Sequence, residues 1–308
     1  MDESGSNGPG DAGGDGGRCG FVALVGRPNV GKSTLMNRLV GAKLSIVSDV
    51  PQTTRVPVRG ILHRPGLQIV FIDTPGIHKP RHRLNEEMVK IAVDVLRTVD
   101  VVAVLVDASD GYGPGDRYVF DRVRDAHARA HLVLNKIDGM KKDDLLPLIQ
   151  EAAGTGLFDE IVPVSARTGE NCDRLEQVLA SKMPVGPAHF PPDVLTDLPQ
   201  RLRTAELIRE QVFTRMRQEV PHAAAVLVEQ FEEEGGLLRI GATILVERDT
   251  QKGIVIGEGG RMIKEIGTAA RHALEADFGR KVHLALWVKV KASWRDDPEL
   301  LRMLGLVG

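Results

Sequence analysis

Several short stretches of this chain carry residue types at spacings suited to holding a nucleotide. Gly26-Arg27-Pro28-Asn29-Val30-Gly31-Lys32-Ser33 matches the phosphate-binding pattern GxxxxGK[ST] and follows directly on the apolar run Phe21-Val22-Ala23-Leu24-Val25. Strand, Gly-rich turn and helix start, in that order, let backbone N–H groups converge on phosphates at a helix N-terminus. Gly26, Asn29, Val30, Gly31, Lys32, Ser33 and Thr34 are the expected cradle. Lys32 would reach the β and γ phosphates, and Ser33 would ligate Mg²⁺. This pattern leaves adenine and guanine undecided.

The base is read from Asn135-Lys136-Ile137-Asp138, which follows the apolar run Leu132-Val133-Leu134. A carboxylate at Asp138 can accept both N1–H and the exocyclic N2–H of guanine, and adenine offers no matching donor pair. A site built around a buried acceptor rejects the base that leaves it unpaired. Asn135 would brace neighbouring loops and bond the ring, while the Lys136 stem packs along one face. Ser165-Ala166-Arg167, after the strand Ile161-Val162-Pro163-Val164, would offer a backbone N–H to the guanine oxygen.

Between these lies Asp73-Thr74-Pro75-Gly76, at the end of the strand Gln68-Ile69-Val70-Phe71-Ile72. Asp73 would hold Mg²⁺, and the N–H of Gly76 would bind the γ phosphate, so that loss of that phosphate releases the loop. A second switch is expected from Asp49 to Arg55, with the Pro51-Gln52-Thr53-Thr54-Arg55 sequence. One threonine hydroxyl there completes the metal shell; Thr54 is preferred and Thr53 is the alternative. Lys32, Thr54 and Gly76 make the candidate catalytic set, and Ser33, Thr54 and Asp73 the candidate metal set.

Five such elements in order, each at a strand end, resemble a translation-factor-type GTPase, which implies GTP/GDP and Mg²⁺ as ligands. Position 77 is isoleucine where Ras-like enzymes place a water-orienting glutamine. Hydrolysis then either awaits a partner or uses a group elsewhere. Asn29 matches the asparagine with which potassium-activated GTPases place K⁺ near the phosphates; its alternative role is to stabilise the turn.

The elements that must position these residues alternate along 21–183: apolar strand runs such as Val101-Val102-Ala103-Val104-Leu105-Val106, and helical runs such as 116–128. That alternation predicts an α/β fold, a mostly parallel sheet flanked by helices. Proline-rich 184–199 interrupts both periods and reads as a linker of limited flexibility. The expected boundaries are a Gly-rich disordered tail at 1–18, the nucleotide domain at 19–184, a linker at 185–200, a second domain at 201–292 and a C-terminal tail at 293–308.

The chain has 308 residues, 42% of them hydrophobic, enough for one core in each of two domains. A net charge of −2 excludes a globally basic nucleic-acid binder while permitting a local basic face. Two cysteines, Cys19 and Cys172, without metal-ligand spacing, point to a reducing cytoplasm. No apolar run approaches the ~18 residues that span a bilayer. The Gly-rich first residues lack the apolar core of a signal peptide.

In the second half, Leu202, Ala205, Ile208, Val212 and Met216 predict an amphipathic helix over 201–219. Strands follow at 223–231 and 237–247, joined at Glu234-Gly235-Gly236. Then come Ile256-Gly257-Glu258-Gly259-Gly260-Arg261, a helix to about Phe278, and a strand over 282–291 with strict alternation at Val282, Leu284, Leu286, Val288 and Val290. Helix, strand, strand, short helix, GxxG, helix, strand is the order of an α+β, type II KH domain. Gly257 and Gly260 carry no Cβ, so a single-stranded sugar-phosphate backbone can lie against the helix junction, met by N–H groups and by Arg261 or Lys264. Bases would then cross a groove reading about four nucleotides. Lys252 and Arg271 add local positive charge. Trp287 falls on the opposite strand face and is read as a packing residue.

A phosphate-loop GTPase domain followed by a KH domain resembles the Era family. Residues 26–33, 51–55, 73–76, 135–138, 256–263 and 282–293 carry the resemblance, which runs from about Cys19 to the C-terminus. It implies a cytoplasmic, monomeric GTPase acting in assembly of the small ribosomal subunit. Its KH domain would hold the single-stranded 3′ end of small-subunit ribosomal RNA under control of the GTP state. The family is also credited with peripheral membrane association, which no basic amphipathic helix here demands. The alternative is a GTP-dependent protein-assembly or membrane-associated switch whose KH fold is a docking platform.

Overall fold

The computed structural model describes residues 17–48, 53–80, 83–216 and 220–306. The expected tail up to residue 16, and Asp49, Pro51 and Gln52 of the expected switch, lie outside the described residues. The first half runs β1 (Arg18–Gly26), α1 (Lys32–Val40), β2 (Val58–Arg64), β3 (Leu67–Asp73), α2 (Arg83–Leu96), β4 (Val101–Asp107), α3 (Pro114–Asp125), β5 (Ala130–Asn135), α4 (Lys142–Gly154), β6 (Glu160–Pro163) and α5 (Cys172–Lys182).

Its six strands form one sheet in the order β2-β3-β1-β4-β5-β6, parallel except for the β2–β3 pair. Strands covered on both faces must be apolar throughout, and every residue of β4 is buried. Two cores result. Leu35, Leu39, Leu105, Leu175 and Leu179 pack on one face of the sheet; Ala92, Leu96, Val104, Val119 and Phe120 pack on the other. Since β1 lies between β3 and β4, the chain reverses winding direction beside it, opening a crevice at the carboxyl ends of the strands.

The second half runs α6 (Gln200–Arg215), α7 (Val220–Ala223), β7 (Ala225–Glu234), β8 (Leu237–Val246), α8 (Asp249–Ile256), α9 (Arg261–Phe278), β9 (Lys281–Val290) and α10 (Pro298–Met303). The turn between β7 and β8 has Gly235 and Gly236 at φ 57° and 80°, as a tight hairpin requires. The parallel β8–β9 pair needs a long crossover, which α8 and α9 supply. Ile208, Val212, Ile240, Ile244, Ile266 and Leu274 close the core between the helices and the sheet.

Two segments differ from their sequence reading. The proline-rich stretch is strapped to the sheet edge: Ile61 N–H donates to Leu195 O at 2.9 Å, and Gln68 bonds both backbone groups of Phe190. Proline forbids regular structure there, but the remaining polar groups still pair with β2 and β3, covering an open edge. The C-terminal segment contains a 3₁₀ turn (Trp294–Asp296) and α10, capped by Asp297. Fully buried Trp294 packs with Leu301, Leu304 and Leu306 against Leu84 and Met88 of α2, so these residues join the two halves. Among the described residues no helix is long and apolar enough to cross a membrane.

One buried group in the sheet opposes folding at low pH. His131 on β5 has no exposed surface, and neither ring nitrogen has a partner among the described residues. Burial holds its pKa below the ordinary 6.5, with Asp159 pulling the other way. The unfolded chain takes up the proton first as pH falls, so stability present above 6.5 declines below it, by at most about 1.4 kcal/mol per pH unit. Urea midpoints compared a pH unit above and below that value should drop on acidification, and drop less in His131→Leu. Equal drops would assign the acid sensitivity to other groups.

Candidate nucleotide site and RNA-facing turn

The crevice holds a cavity of about 460 Å³ lined by the phosphate loop, Thr53, Thr54, Gly76 and the 135–138 and 166–167 turns, a volume suited to one nucleotide. Gly31 starts α1 at φ 96°, and a Cβ there would lie 2.2 Å from Asn135 Nδ2. That amide donates to Val30 O at 2.7 Å, so the phosphate loop and the base-reading turn are locked together through the one residue type that fits between them. Asn29 adopts a left-handed conformation with φ 66°. Lys32 is buried and folds onto the carbonyls of Gly26 and Arg27, at 3.3 and 2.9 Å. Burial lowers its pKa to about 8, with Asp73 opposing.

Asp73 closes β3, and Ser33 Oγ donates to its Oδ2 at 2.7 Å. The Thr54 hydroxyl donates to the same oxygen at 3.1 Å, and the two hydroxyls lie 3.0 Å apart. Of the two candidate threonines, Thr54 reaches the carboxylate; Thr53 instead presents its carbonyl to Arg209. Asp73 has no exposed surface, and its Oδ1 has no partner among the described residues. Burial raises its pKa, chiefly against the charge of Lys32. A buried carboxylate with one oxygen unsatisfied and two hydroxyls alongside is a hard oxygen donor set, and Mg²⁺ fits it.

At the base end, Asn135 Oδ1 accepts the Ala166 N–H at 2.9 Å. Of the backbone N–H groups of Ser165-Ala166-Arg167, that of Ala166 bonds Asn135, tying the turn to β5. Asp138 accepts from Ser165 Oγ at 2.6 Å and pairs with Arg167. The Ser165 bond leads the causes that hold its pKa below the usual carboxylate value, so it is ionised as guanine recognition requires. Lys136, at φ 68°, sends its ammonium to Asp107 Oδ2 at 2.6 Å, a partner that its motif does not reveal. Ile77 has no exposed surface and packs in the core with Val25 and Val104, so position 77 presents nothing polar to the cavity.

In the second half, Ile256 ends α8, residues 258–260 form a 3₁₀ turn, and Gly260 starts α9 at φ 80°. Gly257 has φ 72°, and a Cβ there would come within 2.6 Å of the Met262 Cβ, so this glycine permits helix packing. Glycines 259 and 260 have nothing within 4 Å of an added Cβ and face open space beside Glu258. Arg261 is 84% exposed and pairs with Glu265. It lines a shallow concavity with Lys264, Arg215 and Gly259. Trp287 is half exposed and lies across Gly241.

Residues 21–136 match the family described as 50S ribosome-binding GTPase, and residues 219–295 match the KH domain. Over 287 residues the chain is 48% identical to GTPase Era of Lacticaseibacillus paracasei, spanning 93% of this chain and 96% of that protein. The chain belongs to the Era family. GTPase Era of Geobacter metallireducens is 49% identical over 290 residues, spanning 94% of this chain and 97% of that one. Among solved structures, an Era variant from Aquifex aeolicus bound to GDP and AlF4⁻ matches at TM-score 0.91 and 40% identity, covering 94% of this chain and all of that one. Era in complex with MgGDPNP and nucleotides 1506–1542 of 16S ribosomal RNA matches at TM-score 0.92 and 41% identity, covering 94% and 99%.

As an Era-family GTPase, the chain hydrolyses GTP to GDP and phosphate with Mg²⁺ as its metal. Asp138→Ala should weaken GDP binding by about tenfold or more, the worth of a charged hydrogen-bond pair, with no gain for ADP. Calorimetric titration checks this, and an unchanged GDP affinity would remove Asp138 from base recognition.

Proposed function

We propose that this protein is a nucleotide-controlled RNA clamp of small-subunit assembly, holding the single-stranded 3′ end of ribosomal RNA on its KH domain. The observation that carries this reading is the match over 94% of the chain to an Era structure holding MgGDPNP and a 16S ribosomal RNA segment together. The open glycines at 259 and 260, beside Arg261 and Lys264, support it, because they leave room for a sugar-phosphate backbone next to two cations. Ile256, Gly257 and Glu258 complete the RNA-facing turn. A reducing cytoplasm is the proposed location, in keeping with two free cysteines.

In the GTPase half, backbone N–H groups of residues 29–34 and the Lys32 ammonium would hold the phosphates, with the Gly76 N–H at the γ position. Ser33, Thr54 and Asp73 would hold Mg²⁺, whose positive charge would offset the negative charge on the phosphate oxygens. Releasing the γ phosphate would free the Gly76 and Thr54 segments, giving the RNA site two nucleotide-dependent states. With isoleucine at 77, activation is assigned to K⁺ placed by Asn29. Turnover in potassium should exceed turnover in sodium, and Asn29→Ala should erase the difference; equal rates in the two salts would discard the potassium reading.

Fluorescence anisotropy with an oligonucleotide copying the 3′ end of small-subunit ribosomal RNA tests the clamp. Binding should be tighter with a non-hydrolysable GTP analogue than with GDP. Arg261→Glu and Lys264→Glu should each weaken binding and reduce the salt slope by about one counterion. These exposed positions test the contact more cleanly than Gly257, where a side chain would disturb α8 and α9. Equal, weak binding in both nucleotide states would favour the protein-docking alternative.

A further inference from the structure

Thr54 lies between two residues that the second domain grips. On one side, the guanidinium of Arg209 on α6 donates to the Thr53 carbonyl. Arg209 is 2% exposed, and its own helix aims it: Glu206 accepts from Nε at 2.8 Å, and the Phe213 ring stacks 5.0 Å from the guanidinium. On the other side, Arg55 Nη1 donates to Ala224 O at 2.8 Å, with its guanidinium 5.5 Å from the Trp294 ring. Trp294 Nε1 in turn donates to Ala223 O at 2.8 Å. The segment carrying Thr54 is thus fixed at the preceding carbonyl and the following side chain by groups outside its own domain.

Helix α6 also reaches the RNA-facing turn. Its Arg215 lines the concavity with Arg261 and Lys264, six residues or about 9 Å along the axis from Arg209. Arg203, on the same helix, pairs through two nitrogens with Asp277 of α9, at 2.6 and 2.5 Å. One rigid helix therefore touches the metal-binding segment, the RNA concavity and the helix that begins at the GxxG turn.

We propose that Arg209 is a positioning residue for Thr54, and that α6 is the rod through which occupancy of the RNA concavity and of the metal site bias each other. The proposal rests on reading Thr54 as a metal ligand. A displacement of α6 removes a charged donor from the Thr53 carbonyl and lets the Thr54 hydroxyl leave Asp73. By linkage the effect is reciprocal: what holds α6 tightens the metal site, and the filled metal site holds α6.

The test uses full-length protein and reads the Mg²⁺ concentration at which release of a fluorescent GTP analogue is half suppressed, alongside the ratio of oligonucleotide affinities with GTP analogue and with GDP. Arg209→Gln should raise the Mg²⁺ midpoint about tenfold, the cost of losing one charged hydrogen bond, and bring the affinity ratio towards one. Arg209→Lys should restore part of both. Arg203→Gln, which loosens α6 from α9 but leaves the Arg209 donor on the Thr53 carbonyl, should raise the Mg²⁺ midpoint by less than Arg209→Gln does. Thr54→Ala separates the two ideas. No midpoint shift in Thr54→Ala would overturn the metal reading and the proposal together; a shift there with none in Arg209→Gln would overturn the proposal alone. If Arg209→Gln does not fold, Glu206→Gln, which weakens the carboxylate that aims Arg209, is read by the same midpoint, and an unshifted value there overturns the proposal.

Discussion

Asp73 carries a carboxylate to the carboxyl end of a central strand and leaves it no exposed surface. A lone buried carboxylate costs tens of kcal/mol by Born solvation, so everything around it must answer that charge. The parallel register pairs Asp73 with Leu24, two residues before Gly26, which places the phosphate loop against the carboxylate. Lys32 supplies a buried opposite charge, while Ser33 and Thr54 supply hydroxyl donors to one oxygen only. A divalent cation and a phosphate complete what these groups leave undone. Loss of either alters the balance at Thr54, a segment held by no strand or helix of its own.

The nucleotide site was largely legible in the sequence because its parts are local. A phosphate loop needs only a strand, two glycines and a helix start, all within about fifteen consecutive residues. The same holds for the turn at Asn135, the GxxG turn, and the choice between α/β and α+β halves. Periodicity located the helices and strands of the second half to within a few residues. What it could not reveal are pairings set by distant segments: the Ala166 N–H bound to Asn135, Lys136 bound to Asp107, and Arg209 bound to Thr53.

The contacts made by two segments escape a reading of the sequence for one physical reason. Proline in 184–199 does preclude helix and strand, yet leaves enough N–H and C=O groups to pair with Gln68 and the β2 edge. The C-terminal segment is too short to show a sustained period, so local pattern reads it as a tail. Its stability lies in Trp294 and three leucines packed on Leu84 and Met88, more than two hundred residues earlier in the chain. Such burial follows from chain topology, which no window of sequence displays.

That packing bears on how far the two halves can separate. Helix α2 follows the Asp73-Thr74-Pro75-Gly76 loop, and its Leu84 and Met88 share a core with Trp294 and Leu301. Together with Arg55 and Arg209, this means both segments proposed to sense the nucleotide abut the second domain. Uncovering a side chain as large as Trp294 costs on the order of several kcal/mol, comparable with the whole net stability of a domain. Any state in which the KH domain swings away must recover that energy through nucleotide, RNA or new contacts between the halves. A gradual opening is therefore disfavoured on this reading, because the arginine bonds and the apolar core would have to break together.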